Sequence, residues 1–366
     1  MSDLKKYLDS HILVREEPFG ILIYDKAGDR FYFLDRENFE NTNFINERQI
    51  VDFLINSGMM TINNKKVTIK SRKYDFERSN FYLKMPCTVT WEITQKCNLD
   101  CCYCFSKNST SVEILLYELN NRVIDNINNA EVMRIILTGG EPLINLKRLF
   151  YILYKLSDTK IGIILSTNGT MIDGGLAKKI SKYVSAVQIS LDGKKDTHDK
   201  IKGRGAFEKT IKGIEYCIKN DIFTQVNLVP TKLNNEEIIA IVSLCEKLGV
   251  NRFQLFPLIP RGKGVKVYES LKIDKMEIER IYNGCQKAKK RRGWNINIGL
   301  SRRYFTQGSC ILIKPDGSVD APSYSSNESS YAGNLYNESL LRLWGESKVF
   351  NRKNHLIQTN PYMIIR

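Results

Sequence analysis

Four cysteines crowd into eight residues in the segment Cys97-Asn-Leu-Asp-Cys101-Cys102-Tyr-Cys104. Zinc sites usually combine two short hooks of Cys or His ligands, whereas here one loop supplies Cys97, Cys101 and Cys104 with no second hook nearby. Thiolates are the ligands of iron–sulfur clusters, and three of them would hold three irons of a 4Fe–4S cluster and leave the fourth open. A zinc half-site stays the alternative. Cys102 does not fit the ligand spacing and is interpreted as a bystander.

The cysteines follow the first of six short apolar runs that we predict as β-strands. The strands are Thr88–Ile93, Arg134–Leu137, Ile161–Leu165, Ala186–Ile189, Phe223–Leu228 and Arg252–Phe256, and helical patterns separate them at Val112–Ile127, Leu146–Leu156, Phe207–Asn220 and Asn235–Leu248. Such β–α repeats predict an α/β fold in which a parallel sheet, with helices outside, curls into a partial (βα)6 TIM-like barrel. Functional residues are expected at the carboxyl ends of these strands.

The pattern Cys-x3-Cys-x-aromatic-Cys after the first strand of such a barrel resembles the signature of the radical S-adenosylmethionine (SAM) superfamily, with Tyr103 at the aromatic position. The resemblance implies an enzyme with one 4Fe–4S cluster on Cys97, Cys101 and Cys104, whose open iron is chelated by SAM. It implies that SAM accepts an electron and splits into methionine and a 5′-deoxyadenosyl radical, which takes hydrogen from a substrate. A flavodoxin or ferredoxin is the expected reducing partner.

Further segments resemble the SAM-binding elements of that family and follow successive strands. They are Thr138-Gly-Gly-Glu-Pro142, Ser166-Thr-Asn-Gly169, Ser190-Leu-Asp-Gly193 and His198-Asp-Lys-Ile-Lys-Gly-Arg204. The resemblance implies SAM contacts at Tyr103, Gly139, Gly140, Glu141, Pro142, Asn168, Ser190, Asp192, Val229 and Leu255. The cation for the SAM carboxylate is either Lys202 or Arg204. No separate catalytic residue is assigned.

Residues 293–366 resemble the SPASM/twitch extension of peptide-modifying radical SAM enzymes in an eroded form. The hairpin around Pro315-Asp-Gly-Ser318 and the helix near Leu340–Lys348 match its framework. Of the cysteines that normally bind auxiliary clusters only Cys310 remains, and Ser323 stands at another ligand position. We therefore expect no auxiliary cluster, with Cys285 or Cys87 as distant ligands the alternative.

Residues 1–85 differ from the rest, with strand-like alternation around the turn Lys26-Ala-Gly-Asp29 and a short helix near Glu47–Ile55. This winged-helix-like unit resembles the element that binds leader peptides in ribosomal-peptide maturases. The predicted domains are thus a recognition unit at 1–85, the barrel at 86–292 and the extension at 293–366. The barrel is expected to close without the first unit, whose exposed edge would take the leader as an extra strand.

The composition of the chain indicates which kinds of partner it can bind. The chain has 366 residues, 42% hydrophobic and 26% charged, with a net charge of +15. No apolar run approaches the length of a membrane span, and the charged first residues give no signal peptide, so we expect a cytoplasmic protein without a membrane partner. The positive charge suits an acidic leader peptide, and since no nucleic-acid motif accompanies it, a nucleic-acid partner is not expected.

The leading interpretation is a radical SAM enzyme that modifies a peptide with a leader. Small-molecule chemistry on a tetrapyrrole side chain or a sugar is the alternative. The third interpretation is a non-catalytic iron–sulfur protein. The Gly139-Gly-Glu-Pro142 segment argues against it, because a protein that only carries a cluster needs no SAM-binding segment.

Overall fold

A computed structural model describes residues 11–18, 20–35, 47–56, 60–63, 66–69, 83–106, 117–301, 310–321 and 331–350. The strands are β1 (Ile12–Glu17), β2 (Gly20–Asp25), β3 (Arg30–Asp35), β4 (Met60–Asn63), β5 (Lys66–Ile69), β6 (Thr88–Glu92), β7 (Arg134–Thr138), β8 (Gly162–Thr167), β9 (Ala186–Ser190), β10 (Phe223–Leu228), β11 (Arg252–Leu255), β12 (Asn297–Leu300), β13 (Cys310–Ile313), β14 (Ser318–Asp320) and β15 (Tyr331–Asn334).

The α-helices that the structure describes are α1 (Glu47–Asn56), α2 (Tyr117–Asn129), α3 (Leu146–Ser157), α4 (Gly174–Ile180), α5 (Lys195–Lys202), α6 (Ala206–Lys219), α7 (Ile238–Leu248), α8 (Gly264–Leu271), α9 (Lys275–Arg292) and α10 (Leu340–Glu346). Short 3₁₀ segments lie at Pro142–Asn145, Asn235–Glu237 and Lys348–Phe350. No helix in this part of the chain is long and apolar enough to cross a membrane.

The main sheet has the order β12-β11-β10-β9-β8-β7-β6-β13-β14-β15. Strands β6 to β12 run parallel to their neighbours, which confirms the α/β partial barrel. Side chains alternate between the faces of each strand, so that Val89 and Trp91 are buried against the surrounding helices while Thr90 and Glu92 face the barrel interior. The carboxyl ends of the strands therefore present one ring of loops.

Two findings correct the predicted division of the chain. Strand β12, four residues beyond Gly293, pairs in parallel with β11 and belongs to the barrel sheet rather than to the extension. Strand β13 pairs in parallel with β6 at the opposite side, and β14 and β15 continue antiparallel from it. The extension is thus part of the same sheet as the barrel.

The N-terminal strands β1, β2 and β3 form a separate antiparallel sheet with two buried faces. One face packs with α1 and Met60 into a small core of its own. The other face contributes Leu13, Leu22, Tyr24 and Phe31 to the core of the barrel. The helix and strands match the predicted elements of this unit, but its sheet is shared between two cores.

The turn between β2 and β3 closes the amino-terminal end of the barrel. The buried Asp29 carboxylate lies 2.8 Å from Arg134 Nη1 on β7 and 3.3 Å from Arg252 Nη1 on β11. Tyr24 donates a hydrogen bond to Asp29, and its ring fills the space that a Cβ at Gly162 would need. The hairpin thus supplies the counter-charge of two buried arginines of the barrel, and the expectation that the barrel closes without this unit stays a prediction.

Candidate active site

The cysteine loop begins directly after β6 at the carboxyl edge of the sheet. Cys97, Cys101 and Cys104 are half-buried and form no disulfide bonds with the described residues. Among the described residues, no three Cys, His, Asp or Glu side chains converge on a point that suits a single metal ion. In an iron–sulfur cluster each thiolate binds a different iron, so the ligands need not converge. The arrangement thus does not support a mononuclear zinc site and is compatible with a cluster.

Backbone hydrogen bonds join the Gly-Gly-Glu segment to the start of the cysteine loop. The amide of Gly140 donates to the Thr94 carbonyl at 2.7 Å, and that of Glu141 donates to the Lys96 carbonyl at 2.7 Å. A Cβ on Gly139 would lie 2.2 Å from Thr94 O, and one on Gly140 would lie 2.3 Å from Lys96 O. The close approach that these glycines permit is to the chain's own backbone, and their SAM contact stays a prediction.

The Glu141 carboxylate is fully buried and bonded on all sides to protein. Its Oε1 accepts from Thr167 Oγ1 at 2.7 Å and from the Leu143 amide, while Oε2 accepts from the Asn168 amide at 2.8 Å. Burial raises the pKa of Glu141, and these hydrogen bonds oppose the rise. Glu141 therefore connects the segment after β7 to the end of β8. The adjacent buried Pro142 starts the 3₁₀ turn that Glu141 caps.

Asn98 and Asn168 connect the cysteine loop to the third strand end. Asn168 Nδ2 donates to Asn98 Oδ1 at 2.9 Å, and Asn98 Nδ2 donates to Thr170 Oγ1 at 2.9 Å. The Asn168 Oδ1 atom accepts from both the amide and the hydroxyl of Thr170. The sequence prediction included Asn168 but missed Asn98, whose only signal was its position beside the first cysteine.

Lys202 is the cation that the structure places beside the cysteines. Its Nζ lies 2.8 Å from Asp192 Oδ2, an ion pair, and donates to Ser190 Oγ at 3.2 Å. Burial lowers the pKa of Lys202, but Asp192 and the thiols of Cys101 and Cys104 outweigh burial and raise it. Burial in turn raises the pKa of Cys101, and the Lys202 charge counteracts it. The lysine thus stays charged next to the position of the proposed cluster.

Asp192 is held in place by backbone and side-chain contacts from three directions. Its Oδ1 accepts from the Val229 amide at 2.9 Å, its carbonyl accepts from Asn234 Nδ2, and its amide donates to His198 Nδ1 at 3.0 Å. Burial favours a raised pKa of Asp192, but the charge of Lys202 and the hydrogen bonds from Lys202 and the Val229 amide lower it. His198 is buried rather than on the surface, and burial lowers its pKa to about 4.

Buried polar atoms without a hydrogen-bond partner among the described residues lie in this neighbourhood. The Tyr103 hydroxyl and His198 Nε2 are two of them. Burial and the charge of Asp192 raise the pKa of Tyr103 well above its ordinary value, so the hydroxyl keeps its proton. An unsatisfied hydroxyl beside the cysteine loop suits a polar ligand such as SAM. The residues present therefore fit both a cluster and SAM.

Arg204 and Lys202 both line a cavity of about 410 Å³ between the cysteine loop and α5, together with Leu99, Asp100 and Cys102. Arg204 is exposed, whereas the Lys202 side chain is only 9% exposed and pairs with Asp192. Burial and pairing, rather than the cavity, thus distinguish the two candidate cations.

Leu255 is not brought to the site. Its side chain is fully buried in the core between sheet and helices, with Phe253, and its carbonyl accepts from the Ser301 amide. Residues facing the interior from β11 are Arg252 and Gln254, because faces alternate along a strand. Val229 follows β10, half-buried, and packs against the small cluster of Tyr103 and Ile201.

The predicted auxiliary ligands are dispersed. Cys87 and Cys285 are wholly buried, and burial raises both thiol pKa values, that of Cys285 to about 12. Cys310 is half-buried and sits opposite Thr88, at the far end of β6 from the cysteine loop. Ser323 lies outside the described residues.

A comparison with protein-family models matches residues 91–245 to the radical SAM superfamily. The match begins at Trp91 on β6 and includes the cysteine loop, the Gly-Gly-Glu segment and Lys202. This chain carries a radical SAM domain. Enzymes of this superfamily use a 4Fe–4S cluster and SAM, which agrees with the donor set described above.

The curated relatives of this chain include heme-related synthases, a maturase and GTP 3′,8-cyclases. An AdoMet-dependent heme synthase of Methanosarcina barkeri is 32% identical over 225 residues, which are 60% of this chain and 63% of that protein. Mycofactocin maturase MftC of Mycolicibacterium smegmatis is 26% identical over 298 residues, 75% of this chain and 73% of its own length. The chain spans 45–63% of the length of the heme-related synthases that it matches.

Solved structures resemble this chain in fold over more than the matched domain. SuiB of Streptococcus suis, in complex with its precursor peptide SuiA, superposes with a TM-score of 0.69 at 17% identity and covers 93% of this chain and 88% of SuiB. The enzyme anSMEcpe with bound AdoMet and a peptide has a TM-score of 0.61 at 20% identity, covering 74% of this chain and 83% of its own. These likenesses concern the fold.

Proposed function

We propose that this chain is a radical SAM enzyme that cleaves SAM reductively and takes a hydrogen atom from a peptide. The observation that carries the proposal is the assembly at the strand ends, where one three-cysteine loop is bonded to the Gly-Gly-Glu segment and lies beside the Lys202–Asp192 pair. A binding protein without catalysis has no need of that second set of polar groups.

The residues of the chain have separate tasks in this proposal. Cys97, Cys101 and Cys104 hold a 4Fe–4S cluster, which supplies one electron to SAM when bound. Lys202 binds the SAM carboxylate, because it is the buried cation nearest to the cysteines, and Asp192 keeps it oriented and charged. Glu141 holds the loops in register, and Tyr103 offers its unsatisfied hydroxyl to SAM. A flavodoxin or ferredoxin supplies the electron.

The peptide substrate is supported by the extent of the fold. The likeness to SuiB covers 93% of this chain, more than the barrel alone, and MftC aligns over three quarters of the chain. Both relatives are maturases or bind a precursor peptide by their descriptions. A tetrapyrrole is the second candidate, since the 32% identity to the heme synthase exceeds that to MftC.

The cluster is tested by anaerobic reconstitution of the wild type and of two variants of one loop. Cys101→Ala should lose the iron and the dithionite-dependent formation of 5′-deoxyadenosine, because it removes a ligand. The matched control Cys102→Ala should keep about four irons per chain, the content of a single 4Fe–4S cluster. Cleavage of SAM that survives in Cys101→Ala, or about eight irons in the wild type, would contradict the assignment.

The substrate class is tested by adding each candidate to the reconstituted enzyme. A peptide from a short reading frame beside the gene and an iron porphyrin with propionate side chains are compared, with 5′-deoxyadenosine formation and the mass of the product as readouts. Modification of the peptide alone supports the proposal, whereas modification of the porphyrin alone replaces it by the second candidate.

A further inference from the structure

The C-terminal hairpin brings charged side chains to the carboxyl end of the barrel. Strand β13 pairs in parallel with β6, with Ile313 opposite Trp91. Lys314 directly follows β13 and Glu92 is the last residue of β6, so the register places these two side by side on the interior face. The hairpin thus reaches the mouth of the barrel.

Asp320 is the buried centre of this group. It is only 2% exposed, and its Oδ2 lies 2.8 Å from Lys314 Nζ and 3.7 Å from Arg261 Nη2. The pairing of β14 with β15 shifts register between Val319 and Asp320, an irregularity of the kind that turns a side chain toward a functional site. The Asp320 Oδ1 atom is buried and has no hydrogen-bond partner among the described residues.

The group adjoins the cysteine loop. Glu92 is 4% exposed and accepts a hydrogen bond from Ser106 Oγ at 2.7 Å, two residues after Cys104. The Arg261 guanidinium stacks 4.9 Å from the centre of the Phe105 ring. Lys314 and Arg261 keep side-chain exposures of 22% and 25%, so the group is open on one side.

An unsatisfied buried oxygen costs free energy unless a ligand donates to it. The two cations beside it offer N–H donors to the same ligand. A group that both donates and accepts within a few ångströms complements this arrangement, and an amide does so with its N–H and C=O. A carboxylate would meet Asp320 with like charge, and an ammonium would meet Lys314 with like charge.

We propose that Asp320 and Lys314, together with Arg261 and Glu92, form a substrate-binding site for an amide group next to the cysteine loop. The proposal rests on the proposed function, in which the substrate is a peptide, and it assigns the eroded extension the role of binding that peptide's backbone or a carboxamide side chain. Asp320 accepts the amide N–H, and Lys314 donates to the carbonyl.

Saturation-transfer NMR on the reconstituted, SAM-bound full chain tests the site with three small probes. They are N-acetylglycine N-methylamide, acetate and methylammonium. The amide signal should fall about fivefold in Asp320→Asn and in Lys314→Met, as expected for the loss of one hydrogen bond. The exposed controls Asp125→Asn and Lys290→Met should keep the wild-type signal. Melting temperatures of all variants identify loss of the fold.

Two variants on separate strands keep the test decisive should one of them unfold. A dominant signal from acetate or methylammonium, an amide signal equal in wild type and both variants, or no amide signal would each overturn the proposal. Each of these results is independent of SAM cleavage and of the Cys101→Ala comparison, so that failure here leaves the proposed reaction standing.

Discussion

Lys202 Nζ lies 2.8 Å from Asp192 Oδ2, and both side chains are more than nine-tenths buried. Lys202 ends helix α5, whereas Asp192 follows strand β9, so the pair ties a helix end to a strand end. Taking two charges out of water is costly, and the pair is kept where the strand ends converge. The contact therefore fixes a positive charge beside the cysteine loop.

Lys202→Met should weaken SAM binding about tenfold or more, because a buried charge pair loses one partner. The matched variant Arg204→Met should change affinity by less than about twofold, since exposed cations contribute little. Equilibrium dialysis of SAM against the reconstituted variants measures both. The ranking would be reversed if Arg204 bound the carboxylate.

Gly140→Ala should abolish cluster assembly. The added Cβ would lie 2.3 Å from Lys96 O and 2.5 Å from Gln95 O, and backbone atoms cannot move aside without displacing the cysteine loop. Gly345→Ala is the control, because no atom lies within 4 Å of its Cβ position on a helix. Iron content and visible absorbance after reconstitution compare the two. Full iron loading of Gly140→Ala would show that the loop adapts.

Asp29→Asn should destabilise the fold by about 3–5 kcal/mol, as when one partner of a buried ion pair is removed. Arg134 and Arg252 would then be buried without their shared counter-charge. Asp125→Asn on the exposed face of α2 should change the free energy of unfolding by less than about 0.5 kcal/mol. Urea unfolding measures both, and equal midpoints would show that the hairpin is not required.

His198 should make the fold less stable as the pH falls from 6.5 to 4. Burial holds its pKa at about 4 against 6.5 in the unfolded chain, and Asp192, Lys202 and Asp199 modify this value. Between pH 6.5 and pH 4 the histidine takes up a proton in the unfolded chain but not in the folded one. The contribution of neutral His198 to the stability of the fold is therefore complete above pH 6.5 and is lost as the pH falls from 6.5 to 4. From pH 7 to pH 5 the loss is about 2 kcal/mol for this residue.

His198→Gln removes the titrating group, while the side-chain oxygen of the glutamine can still accept the hydrogen bond from the Asp192 amide. Urea unfolding of cluster-free protein at both pH values should therefore show a smaller pH dependence in the variant than in the wild type. An identical pH dependence in wild type and variant would show that burial does not lower the pKa of His198.

The sequence predicted the barrel well where the signal is local. Phe223–Leu228 was expected as a strand and is β10 with the same bounds. Strand β12 was missed because Asn297-Ile-Gly-Leu300 is short and contains a glycine, and only its pairing with β11 stabilises it. The β-propensity of a short segment does not indicate which strand the segment will pair with.

At the site, residue types were predictable and partners were not. Lys202 and Arg204 are two positions apart in the sequence. Lys202 is the buried one because helix α5 ends at this residue. Leu255 lies at a strand end, but the alternation of Arg252, Phe253, Gln254 and Leu255 indicates that its side chain faces the helices and not the barrel interior. The burial of Asp29 had no local signal, because its arginine partners lie 105 and 223 residues away.

The hairpin at the amino-terminal end of the barrel is synthesised before the barrel residues that it contacts. Asp29 leaves the exit tunnel long before Arg252 is synthesised, 223 residues later. Until then the first sheet has one buried face without its partner, an apolar surface that invites chaperones or misassembly. Contacts of such long range slow folding. The order of synthesis therefore makes the nascent N-terminal sheet, rather than the cysteine loop, the point at which production of this protein is most vulnerable.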